Sequence, residues 1–215
     1  MGIIFIPGQF THAMTFLRWA RHYFGLYQTD EAGNKTIDQN RWRNISLTII
    51  LSMIALETFL NEMAVLALRE CPSTTYNDDE RLMLMEKYRN EKGEEIQRYL
   101  STEDKLVEFT KLITKKDFQK GGAGSHWEKL KVLIKLRNRL VHHRIEELIP
   151  ITIEMLSGIP STDGKPVIDG IPSIFSAVEE RLNFNPADII KQIIIEIEKL
   201  GYPLLSSVKR DLQQV

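Results

Sequence analysis

The chain has 215 residues, with 28 Lys and Arg against 29 Asp and Glu, so its formal net charge at pH 7 is −1. This balance excludes the broad basic field typical of many nucleic-acid-binding proteins, and any nucleic-acid site must be a local patch. Hydrophobic residues make up 43% of the chain, enough for the core of one compact domain over residues 1–215. The single Cys71 excludes an intramolecular disulfide framework and is typical of a reducing compartment.

The apolar segments favour a soluble, cytoplasmic protein without a membrane partner. The apolar run at the N-terminus is too short for a signal peptide and has no basic residues before it. One longer stretch, residues 47–68, resembles a membrane span, but Glu57, Asn61 and Glu62 interrupt it. Because ionisable groups are costly inside a bilayer, the core helix of a bundle explains this stretch better.

The first half of the chain has helical periodicity. We expect a first helix over about 9–26 and a long second helix over about 38–70, which Pro72 ends. Residues 78–99 predict one or two charged, partly exposed helices interrupted at Gly93. The acidic run after Asn77 is typical of a helix N-terminus.

The second half continues the pattern with one irregular insertion. A helix is expected over about 101–116, with a Ser101–Asp104 capping box, and another from the Ser125 cap to before Pro150. The Gly- and Pro-rich residues 157–172 predict a loop or small hairpin. Closing helices follow over about 173–182 and 186–200. The fold class is therefore all-α, an up-and-down bundle of about five to seven helices.

Arg137 is the most informative residue, because its helical position directs a charge inward. At about 100° per residue it falls near the centre of an apolar stripe. The stripe consists of Leu130, Leu133, Ile134, Leu136, Leu140 and Val141. A guanidinium aimed at a core or an interface is costly unless an anion meets it, so either the protein or a ligand must supply one.

The second helix offers a possible anion. Glu57 and Asn61 project among its apolar positions, so the simplest interpretation is that Glu57 meets Arg137. As a structural element, this contact is a buried ion pair that sets helix register. As a functional element, Glu57 orients Arg137 so that its planar fork binds a phosphate at two points.

The face beside Arg137 carries groups suited to a phosphodiester. Asn138 and His142 share it at i, i+4 spacing, and imidazole titrates near neutral pH and can carry a proton. Lys131, Lys135 and Arg139 provide a local positive surface for RNA. His12 and His126 have no partner at metal-ligand spacing and the chain has one cysteine, so we expect neither a metal nor a cofactor.

The segment Leu136-Arg137-Asn138-Arg139-Leu140-Val141-His142 resembles the Arg-Asn-x3-His motif of the HEPN superfamily, helical-bundle proteins that include many metal-independent ribonucleases. The segment from Ile54 to Glu62 is similar to the preceding bundle helix of many such proteins. His143 also fits the looser family spacing; His142 is favoured because it shares a face with Asn138.

The resemblance implies an endoribonuclease in which the 2′-OH of the RNA attacks the adjacent phosphate and leaves a 2′,3′-cyclic phosphate. It implies that Arg137 stabilises the phosphorane, that His142 is the general base or acid, and that Asn138 positions the histidine or the phosphate. It also implies a homodimer with a composite site, and a role as a toxin or defence effector with a possible antitoxin protein.

The alternative is a catalytically inactive helical module that binds RNA, a nucleotide or a partner protein. The near-neutral charge of the chain favours this alternative. A further interpretation is a structural subunit that pairs with another protein.

Overall fold

The computed structural model describes residues 11–29, 39–70, 75–118, 125–141, 178, 181–202, 204 and 206–214. In this part of the chain, seven helices and one short hairpin form an all-α bundle, which confirms the predicted fold class. The helices are α1 (Thr11–Thr29), α2 (Gln39–Glu70), α3 (Asp78–Leu84), α4 (Thr102–Thr114), α5 (Ser125–Val141), α6 (Pro186–Lys199) and α7 (Ser206–Gln214). The hairpin consists of β1 (Lys87–Arg89) and β2 (Glu95–Gln97).

Helix α2 forms the centre of the bundle, in contact with α1, α3, α4, α5 and α6. Its side chains Ile49, Leu56, Phe59 and Met63 are completely buried. In the described residues, α2 is also the one helix long and apolar enough to cross a membrane, and 56% of that apolar window is buried inside the protein. Its apolar length is thus explained by packing, because it needs contact surface for five neighbours.

Helices α1, α4 and α5 each turn an apolar stripe toward α2. Leu17 of α1, Leu106 and Phe109 of α4, and Leu130 of α5 are at most 1% exposed. Burying a large apolar side chain contributes about 1.5–3 kcal/mol, so this shared core is the main stabilising term. Helix α6 adds five isoleucines to it: Ile189, Ile190, Ile193, Ile194 and Ile197.

Helix starts follow the capping signals of the sequence. Asn77 Oδ1 accepts from the Glu80 backbone N–H at 2.9 Å, and the Asn77 N–H donates to Glu80 Oε2 at 2.9 Å, which completes a capping box. The hydrogen bond from the Asn77 N–H, together with nearby Lys115, lowers the pKa of Glu80. At α4, Ser101 Oγ accepts from the Asp104 N–H, as expected. Pro186 occupies the first turn of α6, also as expected.

The prediction of helix over all of 78–99 is wrong after Leu84. Glu86 adopts a left-handed φ of 54°, and the chain then forms the antiparallel hairpin in which Tyr88 pairs with Ile96. Gly93 closes the turn with φ 80°, a conformation favourable to glycine. The predicted insertion at 157–172 lies outside the described residues, and so does most of the expected helix over 173–182.

Candidate functional site

Arg137 lies on the side of α5 that faces the bundle, one turn beyond the last fully buried positions. Leu130 and Leu133 precede it at i−7 and i−4 and are 0% exposed, whereas Arg137 itself is partly buried. Helical spacing therefore places its charge in line with the core face, and its partial burial leaves the side chain some access to solvent.

The hydrogen-bond partner of Arg137 comes from its own helix. Its Nη1 donates to Asn138 Oδ1 at 3.0 Å, and Asn138 is exposed. Within the described ranges, no carboxylate forms an ion pair with Arg137. The guanidinium is oriented by a neutral amide and keeps its full positive charge available for an anion.

The expected meeting of Glu57 and Arg137 does not occur. Glu57 Oε1 instead accepts a hydrogen bond from Thr102 Oγ1 at 2.9 Å, at the start of α4. Asn61, predicted inside the apolar stripe, is exposed, and its Oδ1 accepts from Lys105 Nζ at 3.2 Å. Both polar side chains lie at the edge of the core face of α2, where α4 contacts them.

The cations predicted to bind RNA differ in their surroundings. Lys131 Nζ lies 2.7 Å from Glu128 Oε1 on the same helix, so its charge is locally balanced. Lys135 is exposed and Arg139 is partly exposed. Lys135 and Arg137 place positive charge on the C-terminal half of α5.

His142 and His143, the two candidates for the proton carrier, lie outside the described residues. Their proximity to Arg137 and Asn138 remains a prediction from helical spacing. In the described portions of the chain, no group of three His, Cys, Asp or Glu side chains could hold a metal ion.

Lys105 is the polar residue that sequence reasoning missed. It is 8% exposed, and its Nζ lies 2.7 Å from Glu86 Oε1 as well as close to Asn61. The signal was present, because Lys105 occupies an i−4 position to the buried Phe109 on α4. Lys105 thus joins the base of the hairpin to α2.

Comparison of this chain with protein-family models, with curated proteins and with solved structures gave no match. The HEPN resemblance therefore depends on the motif around Arg137 and on the helical-bundle fold.

Proposed function

We propose that the protein is a metal-independent endoribonuclease of the HEPN type. The observation that carries the proposal is the state of Arg137: partly buried, hydrogen-bonded to Asn138 at 3.0 Å, and not neutralised by any carboxylate of the described residues. A partly desolvated guanidinium of this kind favours an anionic ligand, and its planar fork matches two phosphate oxygens.

The reaction needs no group beyond the RNA and the side chains of the motif. The 2′-oxygen attacks the adjacent phosphorus while His142 takes the 2′-OH proton. The bond to the 5′-oxygen then breaks as the protonated His142 returns a proton to that oxygen. Arg137 stabilises the negative charge that develops on the phosphorane oxygens. Asn138 holds the guanidinium in a fixed direction, while Lys135 and Arg139 attract the neighbouring phosphates.

The proposal includes a homodimer, in which Arg137 and His142 of two subunits form a composite site. It also includes a cytoplasmic toxin or defence role with an antitoxin protein as the natural partner. The solution mass tests the first point, because a dimer has twice the 24.9 kDa of the chain.

Cleavage of RNA in EDTA tests the activity. The wild-type protein should release fragments with 2′,3′-cyclic phosphate ends, identified by mass spectrometry. Arg137→Ala should lower the rate at least about 100-fold, and His142→Ala should lower it by about 100-fold or more. His143→Ala should retain activity if His142 is the proton carrier.

Two further variants sharpen the test. Arg137→Lys keeps the charge and loses the two-point geometry. Its rate of RNA cleavage should therefore lie between the rates of wild type and Arg137→Ala. Arg69→Ala removes an exposed arginine near the end of α2 and should cleave like wild type. Equal cleavage by wild type, Arg137→Ala and His142→Ala would indicate a contaminating nuclease and contradict the proposal. RNA binding without any cleavage would favour the inactive module instead.

A further inference from the structure

The outer edge of β2 is an open strand edge at the protein surface. Every residue from 91 to 99 is exposed. In the described part of the chain, β1 is the one strand that pairs with β2, and the register between them runs without a bulge. Strand β2 also contains no proline, which would remove a backbone donor. An edge of this kind is a template for a further strand.

The hydrogen bonds at the base of the hairpin show which backbone groups this edge offers. The Arg98 N–H donates to the Glu86 carbonyl at 2.7 Å. Hydrogen-bonded and non-hydrogen-bonded pairs alternate along two antiparallel strands, so Gln97 and Glu95 belong to non-hydrogen-bonded pairs. Their N–H and C=O groups therefore point away from β1, toward the open edge, where they are oriented to bond to another strand.

The side chains along this edge complement a second copy of the same strand. The segment reads Glu94-Glu95-Ile96-Gln97-Arg98. Two such segments pair antiparallel when Ile96 lies opposite Ile96 of the partner subunit. In that register Glu94 lies opposite Arg98 of the partner subunit. Glu95 lies opposite Gln97 of the partner subunit. Two-fold symmetry produces each contact twice, and opposite charges that face each other across antiparallel strands are favourable.

The two charged side chains of this contact are both available. Glu94 and Arg98 are exposed. Glu94 Oε2 accepts a hydrogen bond from Asn90 Nδ2 at 2.9 Å, and this neutral amide leaves the carboxylate charge uncompensated. Arg98 forms no ion pair with any carboxylate that the structure describes. The pairing of two copies therefore breaks no ion pair of either residue within the described ranges.

Two exposed apolar side chains lie on the same face of the hairpin as Glu94 and Arg98. Tyr88 and Ile96 pair across the strands and are 45% and 37% exposed. Pairing of the two β2 edges joins these side chains to their counterparts in one continuous apolar row. A two-stranded hairpin is marginally stable alone, whereas a sheet of three or more strands with an apolar face is stable. Association therefore gives this apolar face the neighbours that it lacks in one copy.

We infer that two copies of the chain associate through the outer edges of their β2 strands and form one antiparallel sheet. Helices α3 and α4 adjoin the same end of the hairpin, so the two bundles lie beyond opposite ends of the shared sheet. This surface is separate from the proposed composite site at Arg137, and the inference does not depend on ribonuclease activity. Because the contact is small, we expect association in the micromolar range.

Sedimentation equilibrium of the full chain from about 1 to about 500 μM measures this association. The average mass of the wild-type protein should rise with concentration. Glu94→Arg and Arg98→Glu each place like charges opposite each other, so each should weaken the association at least about fivefold. In an equimolar mixture of these two variants, every such contact between unlike subunits joins opposite charges again. The mixture should therefore associate more tightly than either variant alone.

Glu91→Arg is the matched control, because it makes the same charge change in the turn of the same hairpin, outside the paired segment. This variant should associate like wild type. Ile96→Cys gives a covalent test, since two cysteines at a facing non-hydrogen-bonded pair lie within disulfide range. Under oxidation it should form a disulfide-linked dimer that the wild-type protein, with Cys71 alone, does not form.

Three results would overturn the inference. The first is a wild-type protein that stays monomeric over the whole concentration range. The second is equal association by wild type, Glu94→Arg and Arg98→Glu, which would place any dimer contact elsewhere, such as at the composite Arg137 site. The third is a mixture of the two variants that associates no better than each variant alone. Loss of cleavage in Arg137→Ala, by contrast, tests the nuclease and should leave the association unchanged.

Discussion

Lys105 carries a buried charge that joins three parts of the fold, and its removal gives the sharpest stability test. Its side chain is 10% exposed, and Nζ lies 2.7 Å from Glu86 Oε1 in the hairpin base, where the Glu86 side chain is 20% exposed. The same Nζ donates to Asn61 Oδ1 of α2 at 3.2 Å. Replacing Lys105 with Met preserves the length of the side chain and deletes only the charge.

The expected loss of stability in Lys105→Met follows from the contacts that remain to Glu86. Glu86 would keep only a long hydrogen bond, 3.4 Å, from the Leu100 N–H to its Oε2. Stranding one partner of a fully buried pair destabilises a protein by about 3–5 kcal/mol. Since Glu86 retains some contact with water, Lys105→Met should lower the free energy of unfolding by about 2–3 kcal/mol.

Urea unfolding followed by far-UV circular dichroism measures this loss. Lys111→Met is the control on the same helix, because Lys111 pairs with Asp117 at 3.1 Å with both side chains more than half exposed; it should change stability by less than about 1 kcal/mol. The double variant Glu86→Gln/Lys105→Met should lose less than the sum of the two single losses, by at least about 1 kcal/mol. If Lys105→Met costs no more than Lys111→Met, the buried pair does not stabilise the fold and the reasoning is refuted.

Two further predictions concern other polar groups. Burial raises the pKa of Glu62, although the hydrogen bond to His12 opposes this shift. The Oε2 atom of Glu62 is buried and has no hydrogen-bond partner among the described residues. The folded state therefore holds a proton on Glu62 more tightly than the unfolded state, so its ionisation reduces stability as the pH rises through and above 4.5. In urea unfolding, Glu62→Gln should become more stable relative to wild type as the pH rises from about 4 to about 7, and an equal gain for the control Glu103→Gln would contradict this cause. Asn77→Ala removes the side-chain half of the α3 capping box and should cost about 1 kcal/mol by the same measurement. Asp79→Ala, without a capping bond, should cost less, and equal losses would count against the cap.

The elements that sequence patterns predicted well depend on local chemistry. Helix α2 was expected over about 38–70 and runs from Gln39 to Glu70, because its apolar periodicity is continuous and Pro72 prevents its extension. The starts of α3, α4 and α6 could also be predicted from the sequence, because they depend on contacts between residues close in the chain. A cap is a contact between residues two or three positions apart, so the sequence alone contains both partners.

The hairpin was missed because its residues individually favour helix. Glu, Lys, Arg and Gln dominate residues 86–98, and each is a good helix former. The turn between the strands favours the hairpin instead. Asn90 Oδ1 accepts hydrogen bonds from the N–H groups of Lys92 and Glu94, and Gly93 adopts a positive φ. The Asn–x–x–Gly spacing is a usable turn signal, but strands of three residues are too short to show alternation.

The position of Glu57 shows a second limit of sequence patterns. Helical periodicity places a residue on a face of its own helix, but it does not say which neighbour covers that face. Glu57 was assigned to α5 because Arg137 offered the opposite charge, and Asn61 was placed on the same apolar face as Glu57. In the structure both side chains contact α4. Glu57 accepts a hydrogen bond from Thr102 at 2.9 Å, and Asn61 accepts one from Lys105 at 3.2 Å.

This reassignment changes how the proposed Arg137 site would work. If Glu57 had neutralised Arg137, the guanidinium would need to break an ion pair before it could bind a phosphate, and phosphate affinity would fall accordingly. With Asn138 as its partner, Arg137 is held by a neutral acceptor that leaves its charge uncompensated within the described residues. The Arg-Asn step of the motif therefore forms an orienting contact within one helix. An anion-binding arginine gains from this arrangement, because it is positioned without being neutralised.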